Sequence, residues 1–381
     1  MSKWIAAPLF AVLGLALFVS PLAAAEPTRY TMSLVPMPGS FIINGSGIDC
    51  LNNQGLVAGK RRVSGHDEAI LWNSHTGAIT PLTGMVGDSN AYRINNAGQV
   101  WGHDAGGSFI WSAAGGRTAV TFPDSTYYMK VLNDQGRLLC SRSGDTYVRA
   151  WIWEPDQSIN EITIGSSHTV NALDFNGLGQ VVGRYGASGQ NNGFLRDADG
   201  TSHILPLPAL SGATSVTPYA LNNAGVVAGR IFRTGETGST AFAWTVQNGY
   251  TFFDLPDPFN GNGVVSMTNS GVMAINVLYP NYTTHVQNGA FLWTEESGLQ
   301  SLSSLIDGLS VGDAITSIYA INDAGQILCR LRPASSEGQT QSNSTLMLLT
   351  PVPEPASLGL LGFGLVALLR RRFAATSPGT K

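Results

Sequence analysis

Six histidines (His66, His75, His103, His168, His203 and His285) are the first candidates for chemistry, and their positions give them no common centre. None stands at the spacing that would bring two imidazoles onto one metal ion. Asp197-Ala198-Asp199-Gly200 begins as a calcium loop begins, but it stops short of the six or more oxygen ligands that calcium takes. The chain contains no Gly-x-Ser-x-Gly elbow, no P-loop and no dinucleotide fingerprint. Glycoside cleavage would need two carboxylates held about 5–10 Å apart at one mouth of the fold, and the sequence shows no repeated acidic position there. The residues therefore predict no catalytic set, no metal and no cofactor.

A basic position does recur. Lys60, Arg184, Arg230 and Arg330 each follow a repeated anchor residue by eight positions, and His103, Ser141 and Asn276 occupy that place in the other copies. Lys and Arg together number only 21 in 381 residues, so four of seven is a marked enrichment. Charges set around a ring in this way would form a positive collar for the uronate or sulfate groups of an acidic polysaccharide. The formal net charge is −4, and no basic stretch is interleaved with aromatics, which argues against nucleic acid as a partner.

The element that positions this column is a repeat. Leu51-Asn52-Asn53-Gln54-Gly55-Leu56-Val57-Ala58-Gly59 returns as Ile94-Asn95-Asn96-Ala97-Gly98-Gln99-Val100-Trp101-Gly102, and again from Leu132, Phe175, Leu221, Met267 and Ile321. The anchors are Asn52, Asn95, Asn133, Asn176, Asn222, Thr268 and Asn322. A second element, Ala69-Ile70-Leu71-Trp72 in the first copy, follows in each, although the fourth copy has Arg196 in place of the Trp and the seventh has no Trp. Asn-x-x-Gly between Val- and Ile-rich runs is a tight turn between strands, with Asn capping the first position and Gly taking a left-handed conformation at the fourth. A second Gly turn, at Gly77, Gly200, Gly249 or Gly298, leads into a fourth strand. Four strands per forty-odd residues is the period of a propeller blade. The expectation is an all-β, seven-bladed propeller of four-stranded blades spanning residues 26–351. The loops after strands two and four vary in length, and they mark the face where binding is expected.

The two ends fit one another. The seventh copy runs into prolines after its third strand, while Tyr30 to Val35 precedes the first anchor and resembles a fourth strand. Pairing it with Leu346 to Leu349 would close the ring and cover two sheet edges. Cys50, Cys140 and Cys329 have no Cys-x-x-Cys spacing; two of them stand seven residues after an anchor, where other copies place Gly, so they read as buried thiols.

Residues 1–25 read as a signal peptide: Lys3 before an apolar core, then Ala23 and Ala25 at a small-residue cleavage site. At the other end, Pro353-Glu354-Pro355 precedes an apolar segment, 358–369, and then Arg370, Arg371 and Arg372. A run of about 12 residues is short for a membrane span. Arginines at its far end would nevertheless hold it in the inner membrane with that end in the cytoplasm.

These motifs carry two resemblances. The repeat resembles the extracellular HAF type, most closely at Ala220 to Gly229 and Ala290 to Trp293, which implies a propeller-like fold outside the cell. By the same comparison the fourth and sixth copies, with Arg196, Thr268 and Ile275, should be the irregular blades. Residues 352–381 closely resemble the PEP-CTERM sorting tail of Gram-negative bacteria that make exopolysaccharide. That likeness implies an exosortase-type processing enzyme as partner, transient inner-membrane anchoring and a final place at the cell surface or in a biofilm matrix. A non-catalytic protein that binds exopolysaccharide or another surface protein is the expected function. The alternative is a carbohydrate-active propeller enzyme, a polysaccharide lyase or a glycoside hydrolase.

Overall fold

Each Asn-x-x-Gly segment folds as its composition requires. The anchor side chain turns back on its own loop, so that Asn52 Oδ1 accepts the Gln54 and Leu56 amides at 3.0 Å, and Asn176 and Asn222 do the same. The fourth residue of all seven turns is glycine with φ between +70° and +91°, where a Cβ would strain the backbone. This computed structural model describes residues 28–35, 50–123, 127–142, 148–167, 169–186, 192–234, 240–255, 263–277, 289–334 and 345–353.

The turns join strands into seven antiparallel sheets, and the single helical element among the described residues is a 3-10 turn at Leu302–Leu305. Six sheets have four strands in sequential or closing order. The first has three, Leu56–Val63, His66–Asn73 and Ile79–Pro81, with an isolated bridge from Leu51 to Val57 at its inner edge. The seventh is completed from the other end of the chain. Tyr30–Leu34 pairs antiparallel with Thr345–Pro351, in the register Tyr30 with Pro351 and Leu34 with Met347. Arg29 reinforces the junction, reaching Asp307 Oδ1 at 2.6 and 2.9 Å and the Ser304 carbonyl at 2.8 Å. The fold is thus an all-β propeller of seven blades.

The core is divided among the interfaces. Seven clusters of buried apolar side chains each span two adjacent sheets, including one that joins Leu328, Leu346 and Leu348 of the seventh blade to Val57, Ile70 and Trp72 of the first. The recurring Trp is a core residue, and Trp153 is among the largest fully buried side chains. Four of the repeats end in glycine, and in three of them it leaves room for a ring. A Cβ on Gly102, Gly183 or Gly229 would strike both the inner-strand backbone and the phenyl ring of Phe109, Phe194 or Phe242 opposite it. Cys140 and Cys329 fill the same slot as buried thiols, and Cys50 is buried as well. Burial pushes the Cys140 thiol up to about 12.

Copies four and six, expected to be irregular, both form four-stranded sheets. The reason is local substitution of function. Thr268 Oγ1 accepts the Val272 amide at 3.0 Å, as the Asn carbonyl oxygen does elsewhere, so the turn survives the change. Arg196 remains in the third strand of blade four, Asn192–Arg196, paired with Val181.

Candidate functional site

The recurring basic position lies within strand two, because the strand continues past the small residue that admits the facing ring. Lys60, Arg184, Arg230 and Arg330 occupy equivalent rungs, opposite Ala69, Gly193, Ala241 and Leu346 of strand three. A strand alternates its faces, so each side chain points the way of Ala58, Val182, Ala228 or Leu328 before it, towards the next blade around the ring. All four are half-buried.

Their surroundings differ. Lys60 is 14% exposed and donates to Asp67 Oδ2 at 2.7 Å, with Arg62 on the other carboxylate oxygen. The Lys60 hydrogen bond, followed by that from Arg62, holds the Asp67 carboxyl below its ordinary range despite the opposing desolvation. Arg230 lies over the Phe232 ring at 4.0 Å and Arg330 over the Tyr319 ring at 5.5 Å. Burial works against the Arg230 charge, while Tyr219 hydrogen-bonds to it and favours it. No carboxylate within ion-pair distance of Arg184 or Arg330 is found among the described residues.

A second feature went unread in the sequence. Six inner strands carry a β-bulge, and the extra residue stands three positions before the anchor: Tyr92, Lys130, Leu173, Tyr219, Val265 and Tyr319. Bulges re-aim side chains. The signal was present as Tyr-x-x-Asn at Tyr92, Tyr219 and Tyr319, but it reads as an ordinary strand until the register is known. Lys130, Leu173, Tyr219 and Val265 line the central channel.

The channel holds a cavity of about 370 Å³ that opens on the short-turn face. Two hydrogen-bonded rings frame its mouth. In the first, each anchor Asn donates Nδ2 to the next anchor's carbonyl: Asn52 to Asn95, Asn95 to Asn133, Asn133 to Asn176, Asn176 to Asn222, Asn222 to Thr268, and Asn322 to Asn52, at 2.8–3.2 Å. In the second, the amide after each anchor donates to the matching side chain of the following blade, as from Asn96 to Asp134 and from Asn269 to Asp323. Gly177, which has no side chain, interrupts the second ring after Asp134.

Asp197-Ala198-Asp199-Gly200 folds as a turn, with the Gly200 amide donating to the Asp197 carbonyl at 3.0 Å. Asp197 Oδ1 accepts from Gln180 Nε2 and Asp197 Oδ2 meets His203 Nε2, both at 2.7 Å. No group of three or more His, Cys, Asp or Glu that could hold a metal occurs among the described residues. Pro353 is exposed beyond the last strand. Glu354, Pro355, Arg370, Arg371 and Arg372, the segment 358–369, and Ala23 and Ala25 lie outside the described residues. No helix among the described residues is long and apolar enough to cross a membrane.

The fold places the chain in the class of seven-bladed propellers, and solved structures share it. Oligogalacturonate lyase from Vibrio parahaemolyticus superposes with a TM-score of 0.60 at 11% identity, over 85% of this chain and 94% of that one. A manganese complex of an oligogalacturonate lyase gives 0.55 at 11%, over 86% and 97%. The propeller domain of the Trilobed protease from Pyrococcus furiosus gives 0.51 at 7%, over 86% and 98%. At such identities the likeness is one of fold alone. A comparison with curated proteins gives no match. The specific match is at the tail, where residues 351–372 fit the PEP-CTERM protein-sorting motif, a mark of exosortase-sorted extracellular proteins.

Proposed function

We propose that this chain is a non-catalytic cell-surface or biofilm-matrix protein of a Gram-negative bacterium that binds acidic exopolysaccharide through the rung of Lys60, Arg184, Arg230 and Arg330. The observation that carries the reading is the sorting motif at residues 351–372, which sends a propeller to the surface where such polymers lie. Four basic side chains at one rung, each facing the next blade, support the ligand class. Among the described residues no carboxylate pairs with Arg184 or Arg330, which leaves their charge to be met by a polymer. An exosortase-type enzyme is the processing partner, after secretion through a cleaved leader and a pause in the inner membrane.

The test is retention on immobilised acidic polysaccharide across a salt series. Retention should weaken as salt screens the charges. Changing Lys60, Arg184, Arg230 and Arg330 together to Gln should weaken it further, and retention unchanged in that variant contradicts the reading. Of the four, Lys60 should contribute least, because Asp67 already neutralises it. A second reading, a polysaccharide lyase, is favoured by the fold shared with the oligogalacturonate lyases. Appearance of unsaturated uronate absorbance on incubation with polygalacturonate would establish it, and its absence at high enzyme concentration would remove it.

A further inference from the structure

The channel cavity has features that neither the collar nor the tail uses. Its volume, about 370 Å³, lies in the range that small-molecule sites occupy. Its wall is polar and mixed in charge, but the charges are unequally partnered. Asp134 accepts from Asn96 N and Nδ2, and Asp323 accepts from Asn269 and Asn53. Asp174 accepts the Phe175 and Leu221 amides at 2.8 and 2.7 Å. Asp134 and Asp323 are thus tied into the frame by neutral donors.

Lys130 is placed differently. It stands at the bulge of its strand, which swings it across the junction to blade four. There Nζ donates to Asn171 Oδ1 at 2.7 Å and to the Ala172 carbonyl at 2.8 Å. Both partners are neutral, and an ammonium has a third hydrogen to give. No carboxylate forms an ion pair with Lys130 among the described residues. Asn171 is paired directly across from Arg184, so the two side chains share a face. Arg184 Nε is buried without a hydrogen-bond partner among the described residues. Arg93, whose Nε donates to the Lys130 carbonyl at 3.1 Å, lines the same cavity wall.

We propose that the central cavity is a second ligand site, entered from the short-turn face, which takes one acidic sugar unit with its carboxylate on Lys130. The amides of Asn96, Asn223 and Asn269 and the ring of Tyr219 line the cavity and suit a hydroxyl-rich body. A carboxylate on Lys130 would supply the anionic partner that the described residues do not give this half-buried ammonium. Lys130 is not a residue of the collar, although Arg184 borders both sites, so the cavity site stands whether or not the collar binds polymer.

The titratable and charged groups around Lys130 are Arg93 from blade two, Tyr128 and Asp134 of its own blade, and Asp174 and Arg184 from blade four. Burial first, and then the Arg184 charge, lowers its pKa to about 8. An anion therefore binds the protonated form, and affinity falls as pH rises through that value.

Calorimetric titration of the full chain with glucuronate and with glucose tests the site. Glucuronate should bind at least about tenfold more tightly than glucose, by the strength of a charge-assisted hydrogen bond. Lys130→Gln should remove that preference. Lys130→Arg should keep it and abolish the loss of affinity between pH 7 and 9, a result that a purely structural lysine would not give. The double change of Lys60 and Arg330 to Gln should leave the Lys130-dependent preference for glucuronate over glucose in place, which separates this site from the collar. Equal binding of the two sugars, no binding of glucuronate at millimolar concentration, or full preference in Lys130→Gln overturns the proposal.

Discussion

The anchor asparagine shows why one residue type recurs at that place. Its Oδ1 holds the turn of its own blade while its Nδ2 reaches the neighbouring blade, so no other short side chain supplies both roles. Thr268 supplies the first role only, and the link from blade six to blade seven is missing from the inner ring. Thr268→Asn should restore it and stabilise the protein by about 0.5–1.5 kcal/mol, the net worth of one hydrogen bond. Denaturant unfolding measures this, and an unchanged or lowered midpoint would show that the slot does not admit the amide. Asn95→Ala should cost about 2–3 kcal/mol, because it strips both the turn and the inter-blade contact and leaves buried groups unpaired. Lys130 makes a prediction of the opposite kind. Its pKa is lower in the folded state than in the unfolded chain, so the unfolded chain binds more protons between about pH 8 and 10. Stability relative to Lys130→Met should therefore rise over that interval, and a constant difference would contradict the burial of its charge.

At the level of elements, the turn, the Trp strand and the sevenfold count were legible because their signals lie within nine consecutive residues. Blades four and six, expected to be irregular because each departs from the motif, nevertheless have four strands each. Thr268 shows that a hydroxyl can keep the turn while only the link between blades is lost. The bulge was not legible for a related reason. An extra residue in an inner strand changes nothing in the apolar pattern until its partner strand is known, and Lys130 therefore passed as an ordinary strand residue. The basic column lies inside strand two because that strand runs on past the small residue, and the partner of Lys60 was hidden because Asp67 meets it only across a hairpin. The first strand is an element whose role depends on the opposite terminus. Removing residues 26–37 should expose the edge of Thr345–Pro351, uncover Ile306 and Leu349, and markedly lower the melting temperature. A melting temperature equal to that of the full chain would mean that the pairing with Thr345–Pro351 contributes nothing to stability.

The whole molecule combines a rigid ring with a terminal address. Each blade buries its apolar faces only against its neighbours, and such an arrangement tolerates variation in the long loops while the short-turn face stays braced by hydrogen bonds. The seventh blade takes its outermost strand from the start of the chain, and its third strand ends at Pro351, where the sorting motif begins. Processing beyond that point would remove nothing that the described sheets use. The central claim, that this is an exosortase-sorted surface propeller, is tested most directly by mass spectrometry of the C-terminus of the protein recovered from outside native cells. The account predicts that peptides of the propeller through Leu349 are present and that none from Leu358 onward is found. Recovery of the intact C-terminal Lys381 from that material would contradict it.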